Sequence, residues 1–438
     1  MVHRRRLIYN TVLLTLSSLL MRCIGMSFHV WLVGRIGAAG IGLYQLVGSV
    51  TALVATFAIS GIRFTTTRLV SEELGYENLS GIRSAMRRCL IYGAVFGLAA
   101  LSVLWLLAEP IGFLWIGDAR TVKSLCIAAL GMPFVSLDSS LGGYFTACGR
   151  VWKPTLVRLT AQIAGIAMVA ALLSQVSSVD IEGSCAAVTL GQLGADILSC
   201  ILMFLSYCGD RRSHFSDGSD NSLLTGRMLK IALPLALSAY ARSALTTFQN
   251  LLVPRGLRSA GYSGDGALAG YGTIQGMVMP VLFFPSCIIS ALSELIVPEL
   301  TEAQVQRDRA GIIKATGELM KLSILFSLAV GAFMFIFADE LGLSIYQSAE
   351  AGRYIRIFAP LVPIMYTDMT LDGCLKGLGQ QMWYMGINII ESVAGLFLIW
   401  QFLPRYALAA YIGIIYFTEL FNFTLSLFRL IKVTGRPS

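Results

Sequence analysis

The chain has 438 residues, 56% of them hydrophobic and only 13% charged. A soluble domain carries about 25% charged residues, so a soluble enzyme or binding module is excluded. The net charge of +8 is spread over short loops and forms no basic stripe, which argues against a nucleic-acid partner.

Twelve apolar runs follow one another, at about 7–33, 40–62, 86–108, 122–147, 154–176, 184–208, 228–253, 268–297, 319–338, 354–378, 382–403 and 407–431. Each is near or above the ~20 residues that a membrane-spanning helix needs. The runs are continuous rather than alternating, which predicts helices and not a β-barrel. The opening stretch MVHRRRLIYNTVLL has an apolar run too long for a signal peptide and no A-x-A site after it. It is expected to be a retained first helix whose start Arg4–Arg6 hold in the cytoplasm. Run one carries Arg22. Run two gives way to SGIRFTTTRLVSEELG, where Arg63 either lines an inner mouth or lies on a solvated loop. Run four contains Asp138, run seven Arg242, run ten Asp368, run eleven Glu391 and run twelve Glu419. Between runs six and seven, GDRRSHFSDGSDNSLLTGR (209–227) reads as a polar cytoplasmic linker.

Charge sets the orientation. With the N-terminus inside, inner loops and ends hold 23 of the 33 Lys and Arg, the outer loops hold 8, and Arg22 and Arg242 lie within helices. The positive-inside rule then places both termini in the cytoplasm of a multi-pass cell-membrane protein.

The chain says one thing twice. PFVSLDSSLGGYFTACGR (133–150) and PIMYTDMTLDGCLKGLGQ (363–380) share Pro, Asp, Leu, Gly and Gly at the same places, 230 residues apart without a gap. Arg22, Phe28, Leu32, Val33 and Arg35 recur 220 residues later as Arg242, Phe248, Leu252, Val253 and Arg255. Asp196 in run six finds Glu419 in run twelve. This is the mark of a duplication: an N-terminal bundle of six helices (1–208), the linker (209–227) and a C-terminal bundle of six (228–438). Six is even, so both halves enter the membrane alike, related by a pseudo-twofold along the membrane normal as in parallel-repeat transporters.

Charged side chains in apolar helices cost about 2.5–3.5 kcal/mol at the bilayer centre and mark sites by default. Arg22 and Arg242 sit at matching depth. Together with Arg63 they form the candidate site for an anionic headgroup, most simply a diphosphate, which guanidinium forks grip in a bidentate way. Pairing with nearby acids is the alternative. Asp138 and Asp368 each follow a helix-bending proline by five residues and serve either as backbone caps or as a hinge or cation site. Glu391 and Glu419 could bind a coupling proton or sodium ion, or neutralise the arginines. Nine scattered cysteines without C-x-x-C, three histidines without ligand spacing and no G-x-x-x-x-G-K-[ST] loop give no reason to expect a metal, a cofactor or ATP hydrolysis. No catalytic residues are assigned, and the chain is not read as an enzyme.

The stretches RLIYNTVLLTLSSLLMRCIGMSFHVWLVGRIGAAGIGLYQL, GIRFTTTRLVSEE, NLLVPRGLRSAGYS, LDGCLKGLGQQ and ELFNFTLSLFRLIKVTG cover the chain from end to end. They resemble the stage V sporulation protein B family, in the polysaccharide-transporter branch of the multidrug/oligosaccharidyl-lipid/polysaccharide (MOP) flippase superfamily, related to lipid II flippases. The resemblance implies an all-α, MATE-like V of two bundles around a cavity. It also implies outward movement of an undecaprenyl-diphosphate-linked sugar, with membrane lipids as surroundings. Essential cavity arginines in the family's lipid II flippases include one in helix one, which Arg22 matches by context; Arg242 follows from internal symmetry. Many relatives add a C-terminal helix pair that shapes a groove for the lipid tail, and no such pair is expected here. Two rivals remain: a cation-coupled multidrug antiporter of the MATE type, and a non-transporting membrane scaffold.

Overall fold

The computed structural model describes all residues except Met1, 77–78, 177–179, 215–222, 307 and 436–438. The middle of the expected linker therefore lies outside the described residues. Helices account for nearly everything else, and there is no strand among the described residues. In lipid the backbone must satisfy its own polar groups, and an apolar helix does so within one segment.

In chain order the helices are α1 (Val2–Ile59), α2 (Ile62–Gly75), α3 (Leu79–Pro110), α4 (Val122–Ala147), α5 (Trp152–Leu173), α6 (Ile181–His214) and α7 (Leu223–Ser259). Then come α8 (Gly264–Tyr271), α9 (Met279–Phe283), α10 (Ser286–Val305), α11 (Arg309–Ile336), α12 (Ala338–Tyr346), α13 (Ala349–Phe358), α14 (Val362–Gly377) and α15 (Gln381–Gly435). Eight helical stretches among the described residues are long and apolar enough to cross a membrane. Two helices, α1 and α15, run to 58 and 55 residues, about 85 Å at 1.5 Å per residue, far more than one ~30 Å hydrocarbon core. Each is broken once in its interior. Gly37 in α1 has φ 69 and ψ 179, and Ala407 in α15 has φ 48 and ψ −134, three residues after Pro404. Counting each as two crossings, and α8–α10 and α13–α14 as one each, every one of the twelve predicted runs is mostly helical.

Two compact units emerge: Met1–Cys23 with Leu46–Thr247, and Ile24–Gln45 with Phe248–Ser438. In the first, Val70, Met86, Phe145, Met203 and Tyr207 form a buried core. In the second, Leu300, Leu371, Leu375 and Leu430 do. Large apolar side chains such as Leu106, Leu325, Trp400 and Phe428 remain exposed on the helices, as lipid-facing residues should.

The repeat is visible in the bonding. Thr67 donates to the Gly143 carbonyl at 3.1 Å, and Thr301 donates to the Gly377 carbonyl at 3.0 Å. Both pairs span 76 residues but lie four residues out of step with the offset of 230; in step with it, a Cβ at Gly143 would meet the Arg63 carbonyl and one at Gly373 the Ser293 carbonyl. In the second unit the end of α8 packs backbone to backbone on α1: a Cβ at Gly42 would collide with the Leu268 carbonyl, and one at Gly272 with the Ala38 carbonyl. Gly42→Ala is therefore expected to destabilise by about 1–3 kcal/mol, the usual penalty of overpacking. An unchanged unfolding midpoint in detergent would contradict this close approach.

Candidate functional site

Arg22, Arg63 and Arg242 all fall in the first unit, because the first half of α7 packs there. Gln162 of α5 donates to the Met21 carbonyl at 3.1 Å, which fixes α1 beside Arg22. On α7, the Tyr240 hydroxyl is 2.6 Å from Ser60 Oγ, Thr56 donates to Ser243 at 3.3 Å, and Thr247 donates to the Ser49 carbonyl at 3.0 Å. Ser60 in turn meets the Tyr92 hydroxyl at 2.9 Å. These bonds bracket Arg242 and tie its helix to the place where α1 ends. There Ser60 (φ 43) and Gly61 (φ 69) turn the chain into α2, and Arg63 follows two residues later. The structure thus brings Arg63 and Arg242 onto adjoining segments. Both are exposed, as is Arg22, and neither Arg22 nor Arg242 makes an ion pair among the described residues.

Arg63 differs, because its guanidinium shares a partly buried polar layer with Arg158 and Asp138. Asp138 Oδ1 accepts from Ser199 at 2.9 Å, and its charge is balanced by Arg158 and Arg63. Asp196, one turn before Ser199 on α6, accepts from Gln192 at 3.1 Å and feels the Asp138 charge. Asp138 faces two guanidinium groups and Asp196 lies beside it, so two acids and two cations bring this layer close to neutral.

In the second unit the equivalent layer is acidic. Asp368 is buried, and its Oδ1 has no hydrogen-bond partner. Glu391 and Asp372 act on it electrostatically, and the Ser426 hydroxyl lies near its carboxyl. Glu419 faces Asp368 and Glu391. Asn422 Nδ2 donates to Glu391 at 2.8 Å and to Asn388 at 3.2 Å, while Ser426 donates to Asn422 at 3.2 Å. Among the described residues no basic group pairs with Asp368, Glu391 or Glu419; Lys376 is taken by Asp372 at 2.6 Å. The offset of 230 that turns Asp138 into Asp368 turns Arg158 into Asn388. The same offset turns Arg63 into Ser293, so both cations of the first layer are replaced by neutral side chains and the carboxylates are left uncompensated. No three His, Cys, Asp or Glu side chains converge as a metal site among the described residues. The donor set of carboxylates, amides and a hydroxyl suits protons or a single hard cation.

Sequence reasoning missed Arg158, Asn388, Asn422 and Ser426 as members of these layers, and noted Asp196 only as a repeat partner. Asn388 lies three residues before Glu391, and Asn422 three after Glu419. Helical i, i+3 spacing could have found both.

A family model described as polysaccharide biosynthesis protein matches residues 7–304, well over half of the chain. The chain belongs to that family. A second model, MatE, matches residues 257–400. Stage V sporulation protein B of Bacillus subtilis (strain 168) is 23% identical over 391 residues, covering 88% of this chain and 75% of that protein. Among solved structures, lipid II flippase MurJ in an inward closed conformation superposes with a TM-score of 0.74 at 14% identity, over 97% of this chain and 89% of that one. An inward-facing multidrug resistance MATE family transporter of the MOP superfamily does so with a TM-score of 0.74 at 14% identity, over 95% of both chains. At these identities the structural likeness is one of fold. It places this member of the polysaccharide biosynthesis family among multi-pass helical membrane proteins of the MATE and MOP architecture, as the resemblance implied.

Proposed function

We propose that this protein is a flippase. It would move an undecaprenyl-diphosphate-linked oligosaccharide, or a peptidoglycan precursor of the lipid II type, from the inner to the outer leaflet of the cell membrane. Cell-wall or spore-cortex synthesis would use the product. One observation carries the reading: Arg22 and Arg242 lie exposed in apolar helices of one compact unit and have no ion-pair partner there. Unpaired guanidinium groups in such a place await an anion from outside the chain. A diphosphate offers the planar pairs of oxygens that their forks match, and Arg63 adds a third donor. The polyprenyl tail stays in lipid while the head crosses by alternating access of two six-helix halves, 1–208 and 228–438, joined by the cytoplasmic linker 209–227. Both termini lie inside. Outward transfer moves negative charge down an inside-negative potential, worth about 2.3 kcal/mol per charge per 100 mV.

The acidic layer of the second unit supports a coupled reading as well. Asp368, Glu391 and Glu419 would take up a proton or a sodium ion when the headgroup leaves. The same layer favours the second reading, a cation-coupled antiporter of the MATE type, since acids attract cationic drugs.

The test is translocation in proteoliposomes. With an imposed inside-negative potential, the purified protein is expected to move fluorescent lipid II or a related polyprenyl-diphosphate glycan outward, and Glu391→Gln to remove any dependence on a sodium or proton gradient. Export of cationic dyes without glycan movement would hand first place to the antiporter.

A further inference from the structure

The outer end of the second unit breaks the rule that sets the orientation. Of the eight basic residues on the outer side, six belong to this unit: Arg35, Arg255, Arg258, Arg353, Arg356 and Arg405. All are arginines. The acids beside them are Asp265, Asp339, Glu340 and Glu350. The outer end of the first unit is the reverse, with Arg120 and Lys123 against Glu109, Asp118, Asp180 and Glu182, and Arg120 is bound to Asp118 at 2.7 Å. Basic residues outside oppose topology, so six on one face call for another role.

Two of the six are occupied. Arg356 pairs with Asp339 at 2.7 Å, and Arg258 has its own partners. Arg35, Arg255, Arg353 and Arg405 are exposed and form no ion pair among the described residues. The fold gathers them. Gly256 of α7 lies against Leu403 of α15, so Arg255, near the end of α7, and Arg405, two residues before the Ala407 break, stand on adjoining segments. Tyr262, just past α7, interacts with Tyr354, the neighbour of Arg353 on α13. Arg35 stands two residues before the Gly37 break and lies over the Trp31 ring at 5.8 Å, an aromatic anchor of the kind found at the headgroup level. The whole set is guanidinium, the group whose fork fits phosphate oxygens, with no ammonium among it.

We propose that this face is a receiving surface for the diphosphate headgroup of the delivered polyprenyl lipid. Arg255 and Arg405 grip the two phosphates, and Arg353 and Arg35 flank them. The proposal rests on the flippase reading above and extends it to the step after transfer.

The test is arginine footprinting with phenylglyoxal on the full chain in phosphatidylcholine vesicles, with peptides read by mass spectrometry. The probe added outside is farnesyl diphosphate, a short soluble polyprenyl diphosphate. At ten times its Kd the free fraction is about one in eleven, so modification of Arg255 and Arg405 is expected to slow about tenfold. Farnesol and a short-chain phosphatidylglycerol are expected to leave the rate unchanged, and Arg22→Ala to leave the protection intact. Arg255→Gln with Arg405→Gln should abolish protection at Arg353. Equal rates with and without the diphosphate overturn the proposal. Equal protection by phosphatidylglycerol also overturns it, because the face then reads ordinary lipid. If the native protein moves glycan lipid but shows no protection, this inference fails alone. If protection appears without glycan movement, the flippase reading fails and the anion surface stands.

Discussion

Arg22→Ala and Arg242→Ala are each expected to reduce translocation of the diphosphate-headed lipid by about 30-fold or more, with little change in the unfolding midpoint. Truncating one partner of a desolvated charge pair costs about 2–5 kcal/mol, which is roughly 30-fold to several thousandfold at 1.4 kcal/mol per factor of ten. Stability should hold because neither guanidinium has an ion pair to lose within the protein. Arg→Lys at either place keeps the charge but not the bidentate fork, so partial transport is expected. The measurement is lipid II or glycan-lipid movement in proteoliposomes, beside a thermal melt of the same preparations. Full transport by both alanine variants would remove these arginines from the headgroup site. Lost transport with a much lower midpoint would instead assign them to the scaffold.

The second large effect concerns a matched pair of aspartates whose removal should act in opposite directions. Asp138→Asn leaves Arg63 and Arg158 facing each other with one less carboxylate between them. Asp138 acts on both guanidinium groups through space and accepts one hydrogen bond, from Ser199, so a loss of about 1.5–3 kcal/mol is expected, the worth of a hydrogen bond to a charged group. Asp368→Asn takes a charge out of a layer that already holds Glu391, Glu419 and Asp372. Repulsion falls, and the midpoint is expected to stay or rise. Melts of the two variants side by side decide the matter. A loss of similar size in both would mean that the two layers are not electrostatically opposite.

Much of this was legible before any coordinates. Lipid imposes both a length and an apolar composition on each crossing, so all twelve runs could be marked, and the described helices cover most of each. Arg22, Arg242, Asp138, Asp368, Glu391 and Glu419 stood out because charges inside such runs are rare. Arg158 did not stand out. It follows Arg150 and Lys153 near the start of α5 and looks like one more loop cation, yet it faces Asp138. Asn388, Asn422 and Ser426 carry no charge, and neutral polar residues raise little signal in an apolar helix.

By itself the sequence determined the helical class, the apolar runs, the internal match at an offset of 230 and the charges that lie within those runs. Each of these follows from local composition or from spacing along the chain. Only the tertiary structure decided which charges meet. It put Arg242 in the same compact unit as Arg22 and Arg63, through hydroxyl bonds from α7 to the end of α1. It also showed that one repeat balances its aspartate with arginines while the other surrounds its aspartate with acids. Electrostatic energy depends on distance through space, and side chains some 180 residues apart in sequence become neighbours only when the helices pack.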